Sequence, residues 1–264
     1  YALYPDAWQV NKLNNTLNLY YKHKYKTWKG NGSLLIKYRT SALYSDFNYD
    51  VFSFENKFNK SLRKFVLKTR IFGALGYGDL WAPESMLYLA GANPEQLNEN
   101  KFTQAEGVFT KSHTQFGENM NVFHAGGGLN LRGYAGYLIP EQVDGTIFSA
   151  YKGTSGASIN LELEFDRYLG LNSVNLFRRW IAFKTYAFAD AGIINVVDSD
   201  PFYFSAPRVD AGMGYTVTIK KFYQFETTKP VTFRMDFPVF LNRTPNVSPD
   251  SFTYRWIIGI NRAF

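Results

Sequence analysis

The chain of 264 residues carries a net charge of +7, contains no cysteine and is rich in aromatic residues, with 24 Phe and 19 Tyr. The lack of cysteine excludes disulfides and Cys-based metal sites, and no stretch reaches the roughly 20 consecutive apolar residues of a membrane-spanning helix. Lys and Arg are scattered along the chain rather than clustered, which argues against a nucleic-acid partner.

Four runs of alternating sequence follow a predicted loop at residues 1–10. Period-two alternation over about a dozen residues indicates a β-strand. In the third run the aromatic residues change face, and this change predicts a β-bulge near Val51 and Phe52. The four runs lie at about residues 13–25, 33–44, 46–59 and 63–78.

Alternation stops at residues 79–154, a stretch that contains Pro83, Pro94, Pro140 and many Gly and Asn. A loop of this length in a compact domain is normally functional. Alternation then returns, with charged or glycine-rich positions opposite apolar ones. The five later runs lie at about residues 157–165, 181–193, 208–220, 231–241 and 253–264.

These nine runs predict an all-β fold, a transmembrane antiparallel β-barrel with apolar positions towards lipid and polar positions towards a wet lumen. The runs are longer than the strands of most soluble sheets. Arg234 and Asp236 lie in the middle of a run, and a lumen accommodates such charges without placing them in hydrocarbon. A soluble β-sandwich is the alternative interpretation.

Nine strands make an odd number, whereas closed single-chain bacterial barrels generally have an even one. An open strand edge cannot lie in lipid. We therefore expect residues 1–264 to form one partial barrel domain, completed by strands from a preceding part of a longer precursor or from another polypeptide. The first residues, Tyr1 to Pro5, agree with a longer precursor because they contain neither an initiator Met nor a signal sequence.

The loop tip, residues 126–134, reads Gly126-Gly127-Gly128-Leu129-Asn130-Leu131-Arg132-Gly133-Tyr134. Glycines allow a sharp turn and a close approach to a wall, and the planar fork of an arginine matches a carboxylate. The alternation places Glu162, Glu164 and Asp190 on the lumen side of adjacent strands. Arg132, folded inward, is therefore expected to pair with carboxylates from both strands.

Leu131-Arg132-Gly133-Tyr134 resembles the [VIL]-R-G-[FY] motif of the BamA-type outer-membrane assembly and secretion barrels, a superfamily of bacterial surface antigen barrels that includes TamA and FhaC. In that family the motif lies on the sixth outer loop, which folds back into a barrel of about sixteen strands. Phe188-Ala189-Asp190-Ala191-Gly192 resembles the family's F-x-D-x-G motif, and the Glu-bearing run at residues 160–165 matches the intervening strand. The resemblance covers about residues 60–264.

The resemblance implies a latch, a set of contacts that holds the loop inside the barrel. Glu164 is preferred over Glu162 as the second carboxylate because of its Leu-Glu-Phe context, and Arg262, where the family has an apolar residue, is expected to extend to the membrane interface. The predicted latch residues are Arg132, Gly133, Tyr134, Glu162, Glu164, Phe188, Asp190 and Gly192. The predicted residues of a lateral seam and assembly signal, in the last strand at 253–264, are Trp256, Ile258, Ile260 and Phe264.

The resemblance also implies a function, the insertion of proteins into the bacterial outer membrane or their translocation across it. The alternative is a barrel that anchors or exports an enzyme domain, such as a phospholipase or peptidase, preceding it on the same precursor; a simple pore is a third possibility. Expected partners are outer-membrane lipid, the remaining strands, accessory outer-membrane proteins and client proteins. We expect no catalytic site or cofactor in this chain, because no constellation of residues supports an active site, and no metal site, because His113, Glu118 and His124 lack regular ligand spacing.

Overall fold

The computed structural model describes residues 11–99, 123–137, 139–169, 180–197, 203–220, 230–243, 251–252 and 254–264. The fold is all-β, with short helical segments at Pro83–Ser85, Pro94–Glu99, Arg132–Tyr134 and Asp166–Leu169. None of the helices in these ranges has the length and apolar character of a membrane-spanning helix. The strands are β1 (Thr16–Thr27), β2 (Gly30–Ser41), β3 (Asn48–Leu62), β4 (Phe65–Leu80), β5 (Leu87–Tyr88), β6 (Pro140–Val143), β7 (Thr146–Ser149), β8 (Lys152–Gly153), β9 (Gly156–Glu164), β10 (Ile181–Ile194), β11 (Arg208–Ile219), β12 (Val231–Leu241) and β13 (Ile257–Ile260).

Nine of these strands form one antiparallel sheet in the order β1-β2-β3-β4-β9-β10-β11-β12-β13. Strands β4 and β9 are neighbours although residues 81–155 separate them. The edges of the sheet are β1 and β13, and in the described ranges these two strands do not pair with each other. The nine strands predicted from alternation are therefore present as a single open sheet.

The sheet is inside out compared with that of a soluble protein. On β9, Asn160, Glu162 and Glu164 are buried, whereas Ile159 and Leu163 on the opposite face are 42% and 37% exposed. Strands β11 and β12 repeat this arrangement, with charged residues buried and large apolar residues on the outer face, whereas β10 buries Tyr186 and Phe188 together with Asp190 and has alanines outside. Within the described residues no second sheet covers the apolar face, as a β-sandwich would require.

The polar face of the sheet is covered by the segment between β4 and β9. This segment is more regular than the predicted loop at 79–154, because β5 pairs with β8 and β6 pairs with β7. Its buried apolar residues pack with the ends of β10 and β12, and each fully buried Leu or Ile contributes about 1.5 to 3 kcal/mol. The main cluster comprises Leu89, Leu129, Leu131, Tyr134, Tyr137, Ile139, Ala150, Ile194, Val196 and Leu241.

The β-bulge predicted near Val51 and Phe52 is wrong, because β2 and β3 pair in continuous register there. The register shift between β3 and β4 lies instead at Tyr49. Tyr49 is buried on the polar face because Trp81 stacks on it at 4.8 Å and Ala82 packs beside it. The aromatic residues thus change face although the strand does not change phase.

The last strand is shorter than the predicted run at 253–264, since β13 has four residues. At Asn261 the backbone adopts a φ of 67°, a conformation that Asn tolerates better than most residues. The chain then turns onto the polar face, where Ala263 is buried against Gly126. The edge of β13 that does not pair with β12 is contacted by residues 123 and 124 of the loop, because Phe123 bridges to Ile258 and the His124 N–H donates to the carbonyl of Ile258 at 2.8 Å.

Candidate functional site

Arg132 lies in the loop tip and is completely buried against the polar face of the sheet. Its Nε and Nη2 atoms donate to the two carboxylate oxygens of Asp190 at 2.8 and 3.1 Å. Its Nη1 atom donates to Oε1 of Glu162 at 2.7 Å. The ring centroid of Phe188 lies 4.1 Å from the guanidinium carbon, a cation–π distance. The structure therefore brings together four residues that the sequence places in three separate segments.

These contacts stabilise a positive charge at a site that is buried from solvent. Burial by itself opposes the charge on Arg132, but the carboxylates of Asp190 and Glu162 outweigh this effect and raise the pKa of Arg132 well above its ordinary value. Two parallel bonds to one carboxylate also fix the orientation of the guanidinium group. The pairing therefore sets both the depth and the angle at which the loop tip meets the sheet.

Glu162 is the second partner of Arg132, so the preference for Glu164 is wrong. Glu164 instead pairs with Lys68 at 2.6 Å and with Lys184 at 3.1 Å. Both glutamates face the same way, but a step of two residues moves the carboxylate about 7 Å along the strand. That step takes Glu164 beyond the reach of Arg132 and towards the lysines of β4 and β10.

We expect Glu162→Gln and Glu164→Gln to loosen different parts of the chain. Glu162→Gln weakens a charge-assisted bond to Arg132 by about 1 kcal/mol, so amide exchange should accelerate in the loop tip. Glu164→Gln removes the charge that pairs with Arg262, so exchange should accelerate at residues 261–264 instead. Hydrogen exchange with mass spectrometry measures both regions in one experiment. The opposite pattern would show that the two glutamates had been assigned the wrong partners.

The glycines of the two motifs allow the loop to approach the sheet closely. A Cβ atom at Gly133 would lie 2.6 Å from the Cβ of Asp210, and one at Gly192 would lie 2.9 Å from the Leu131 side chain. Both distances are shorter than packed carbon atoms tolerate. A larger residue at Gly133 would hold the loop tip away from the sheet, and one at Gly192 would also lie 2.9 Å from the carbonyl oxygen of Ala157 on the neighbouring strand.

The Tyr134 side chain links the loop tip to the end of β12 and, through Asn242, to the start of β11. Its hydroxyl donates to Oδ1 of Asn242 at 2.9 Å, and burial raises the pKa of Tyr134 to about 12, so the phenol keeps its proton. The same Asn242 oxygen accepts the N–H of Val209 at 2.8 Å, and the Asn242 amide donates to the carbonyl of Pro207 at 2.9 Å. One tyrosine thus joins three segments that are far apart in sequence.

Three arginines outside the sequence motifs bind the main chain of the loop. Each donates to a carbonyl of the loop, so the loop is fastened along its length and not only at Arg132. For Arg70 and Arg234 the sequence signal is a charged residue at mid-strand on the buried face, because such a charge needs a partner, whereas Arg255 precedes β13 and has no such signal. The contacts are Arg70 Nη2 to Gly128 O at 2.8 Å, Arg234 Nη2 to His124 O at 2.9 Å and Arg255 Nη1 to Gly133 O at 2.8 Å.

Arg234 also extends the ion-pair cluster around Arg132. It donates to Oδ2 of Asp236 at 2.7 Å, and Oδ1 of Asp236 accepts the Tyr186 hydroxyl and lies 3.9 Å from Nη1 of Arg132. Nδ1 of His124 lies 2.6 Å from Nη2 of Arg234. Burial and the positive charge of Arg234 lower the pKa of His124 well below its ordinary value. The imidazole is therefore neutral, and its Nδ1 atom accepts the bond.

Asn160 joins the cluster to β4. Its side-chain amide donates to Oδ1 of Asp190 and to the carbonyl of Asn130, both at 3.1 Å, and its oxygen accepts from Nη1 of Arg70 at 2.9 Å. Asn160 is completely buried, and these bonds satisfy its polar atoms. The site is therefore a continuous polar network from β4 to β12, built mainly to hold the loop.

Three of the four predicted seam residues share one face of the last strand, and Phe264 does not. Trp256 and Ile258 are exposed on the outer face, and Ile260 packs against the buried cluster that contains Phe123. The prediction that Phe264 shares their face is wrong, because the turn at Asn261 places its ring centroid 5.8 Å from the guanidinium carbon of Arg132.

The interface position expected for Arg262 is also wrong. Arg262 contacts the carboxylate of Glu164 and lies 3.6 Å from that of Glu162. Two buried carboxylates attract the guanidinium more strongly than the membrane interface would, because they have no water to solvate them.

No protein-family model and no curated protein matches the chain. Among solved structures, the chain is similar to the crystal structure of OccAB3 from Acinetobacter baumannii, with a TM-score of 0.38 and 7% sequence identity. The match covers 91% of this chain and 46% of OccAB3, so the chain spans about half the length of that protein. A TM-score this low carries no conclusion about function, which has to be argued from the site.

Proposed function

We propose that this chain is the carboxyl-terminal portion of a BamA-type barrel in the bacterial outer membrane, which inserts proteins into that membrane or translocates them across it. The observation that carries the proposal is the position of Arg132. The arginine of the Arg-Gly-Tyr tip is bonded to the aspartate of the Phe-x-Asp-x-Gly motif, 58 positions away in sequence. The glutamate of the intervening strand completes the pairing. Motifs that the family resemblance associates are thus in contact.

The inside-out sheet supports a location in a lipid bilayer. Leu75 and Met213 are 67% and 62% exposed on the apolar face, while Asp210 and Asp236 on the other face are completely buried. Each square ångström of apolar surface left in water costs about 25 cal/mol, and a large exposed apolar face leads to aggregation. A bilayer removes that cost, and alternation between lipid and lumen accounts for both faces.

The two edges of the sheet support a partial barrel with a seam at β13. An unpaired strand edge in lipid costs several kcal/mol for each unsatisfied group, so further strands have to pair with β1 and with the part of the β13 edge that residues 123 and 124 leave unpaired. Strand β13 forms four residue pairs with β12, whereas the other neighbouring pairs in the described sheet have nine or more. Two strands joined by fewer main-chain hydrogen bonds separate more easily. The latch then holds the rest of the barrel while β13 opens to a client.

A test of this function compares liposomes that contain the refolded chain with empty liposomes. An unfolded eight-stranded outer-membrane barrel serves as the client, and its folding is followed by the shift in gel mobility of the unheated sample. We expect the chain to accelerate client folding. Equal rates in both liposomes would refute the insertion role and would leave the anchoring of an enzyme domain as the better explanation of the same fold.

The orientation of the sheet can be measured separately from the function. The chain contains no cysteine, so a single Cys introduced for a spin label needs no background changes. Labels at Leu75 and Met213 should be accessible to oxygen dissolved in lipid, whereas a label at Ser53, on the other face of β3, should not. A higher oxygen accessibility at Ser53 than at the two outer positions would contradict the bilayer location.

A further inference from the structure

The polar face of β1 and β2 carries four lysines that form no salt bridge with the acidic residues of the described ranges. Pairing across β1 and β2 places Asn18 opposite Arg39 and Tyr20 opposite Lys37, and Arg39 is buried against the loop on the polar face. The even-numbered residues of β1 therefore share that face. The lysine track consists of Lys22, Lys24 and Lys26 on β1 and Lys37 on β2.

The lysine track differs from the other cations on this face. Arg39 is paired with Glu95 at 2.6 Å, and Arg70 is paired with Glu55. Among the described residues, no acidic side chain pairs with any lysine of the track, and its three members on β1 are exposed. Four lysines without a salt bridge in the described residues therefore lie along one side of the sheet, and of these only Lys37 lies near carboxylates, those of Glu95 and Glu99 in the lining of the adjoining cavity.

A cavity adjoins the lysine track. It has a volume of about 340 Å³ and lies between strands β2 to β4 and the loop, with Lys37, Lys57 and Phe264 among the residues that line it. Lys37 belongs to both features, but Glu55, Glu95 and Glu99 also line the cavity, so an acidic ligand is confined to the lysine track. The cations of the cavity other than Lys37 are already paired, so the unpaired cations of this surface are the four lysines of the track.

We propose that the lysine track binds an extended acidic polypeptide segment. Alternate residues of a strand repeat every 6.6 to 6.8 Å or so, and Lys22, Lys24 and Lys26 follow this repeat. An extended peptide with a carboxylate at every second residue has the same repeat, so each carboxylate meets one lysine. A compact phosphate group would reach only part of the row.

A membrane lipid does not fit the lysine track as well as a peptide does. The apolar residues of β1, including Leu17, Leu19 and Tyr21, are exposed on the opposite face, and that face is the one suited to lipid. The track lies on the face that the loop covers elsewhere in the sheet. This proposal goes beyond insertion or translocation, because it depends only on which residues lie on each face of β1 and β2.

Fluorescence anisotropy of a labelled peptide tests the proposal on the full chain refolded in micelles. The probe is an alternating Glu-Thr peptide of ten residues, compared with a Gln-Thr peptide and with inorganic polyphosphate. Exposed ion pairs are individually weak, so Lys22→Gln, Lys24→Gln and Lys26→Gln together should weaken Glu-Thr binding about tenfold. Added salt should also weaken it, because these lysines are exposed.

A matched triple variant controls for the loss of charge. Lys12→Gln, Lys29→Gln and Lys64→Gln remove the same charge from exposed positions outside the track, and binding should change less than about twofold. Equal weakening by the two triple variants would overturn the proposal, as would equal binding of the Gln-Thr peptide. Tighter binding of polyphosphate than of the Glu-Thr peptide would overturn the choice of a polypeptide as the ligand.

Discussion

Replacing Arg132 by alanine is expected to lower the free energy of unfolding by about 3 to 5 kcal/mol. The substitution leaves the carboxylates of Asp190 and Glu162 buried without the cation that lies between them. It also leaves a space beside Phe188 that water or neighbouring side chains must fill. Urea unfolding of the protein refolded in micelles, followed by the fluorescence of its five Trp residues, measures the change.

The control for this prediction is Arg167→Ala. Arg167 is exposed, and surface substitutions of this kind usually change stability by less than about 0.5 kcal/mol. Arg132→Lys should fall between the two, because lysine keeps the charge but not the fork that meets both oxygens of Asp190. A double-mutant cycle with Asp190→Ala completes the test: effects that add within about 0.5 kcal/mol would contradict the pairing of Arg132 with Asp190.

The faces of the strands were predictable from sequence because a side-chain period of two is a local property. The alternation placed Glu162, Glu164 and Asp190 on one face, and all three are buried there. Alternation contains no information about the position along a strand at which a distant loop contacts it. The choice between Glu162 and Glu164 depends on that position, and the sequence context of Glu164 did not predict it.

Contacts to main-chain carbonyls were not predictable, because every residue has a carbonyl. Arg70 and Arg255 bond to carbonyls of the loop tip and of Ala135, and no motif marks the acceptors. The turn at Asn261 was missed for a related reason. The turn brings Arg262 to the carboxylates of Glu162 and Glu164 on β9, roughly a hundred positions earlier in the chain. The alternating pattern of the last run, which ends in Phe264, contains no information about these partners.

Arg132 and Arg234 together neutralise the carboxylates at the centre of the site. Glu162, Asp190 and Asp236 approach these two arginines within 3.9 Å. Buried charges of this kind depend on one another, because removal of one cation leaves several carboxylates near a single remaining one. The loop and the sheet are therefore held by one network, in which a contact far from the loop tip also supports Arg132.

Arg234→Met is accordingly expected to cost about 3 to 5 kcal/mol, although methionine has a similar length and suits an apolar gap. Asp236 keeps the Tyr186 hydroxyl but loses its closest cation, and the carbonyl of His124 loses its donor. The same urea titration measures the effect. Arg243→Met is the control, because the Arg243 side chain is 50% exposed and exposed ion pairs contribute about 1 kcal/mol or less.

Adding Asp236→Asn to Arg234→Met should restore at least half of the lost stability. The double variant has no uncompensated carboxylate at position 236, and the asparagine oxygen still accepts the Tyr186 hydroxyl. Removing both partners of a buried pair costs less than removing one, because the cost arises mainly from the charge left behind. A double variant as unstable as Arg234→Met alone would show that Arg234 acts through its bond to the His124 carbonyl and not by balancing Asp236.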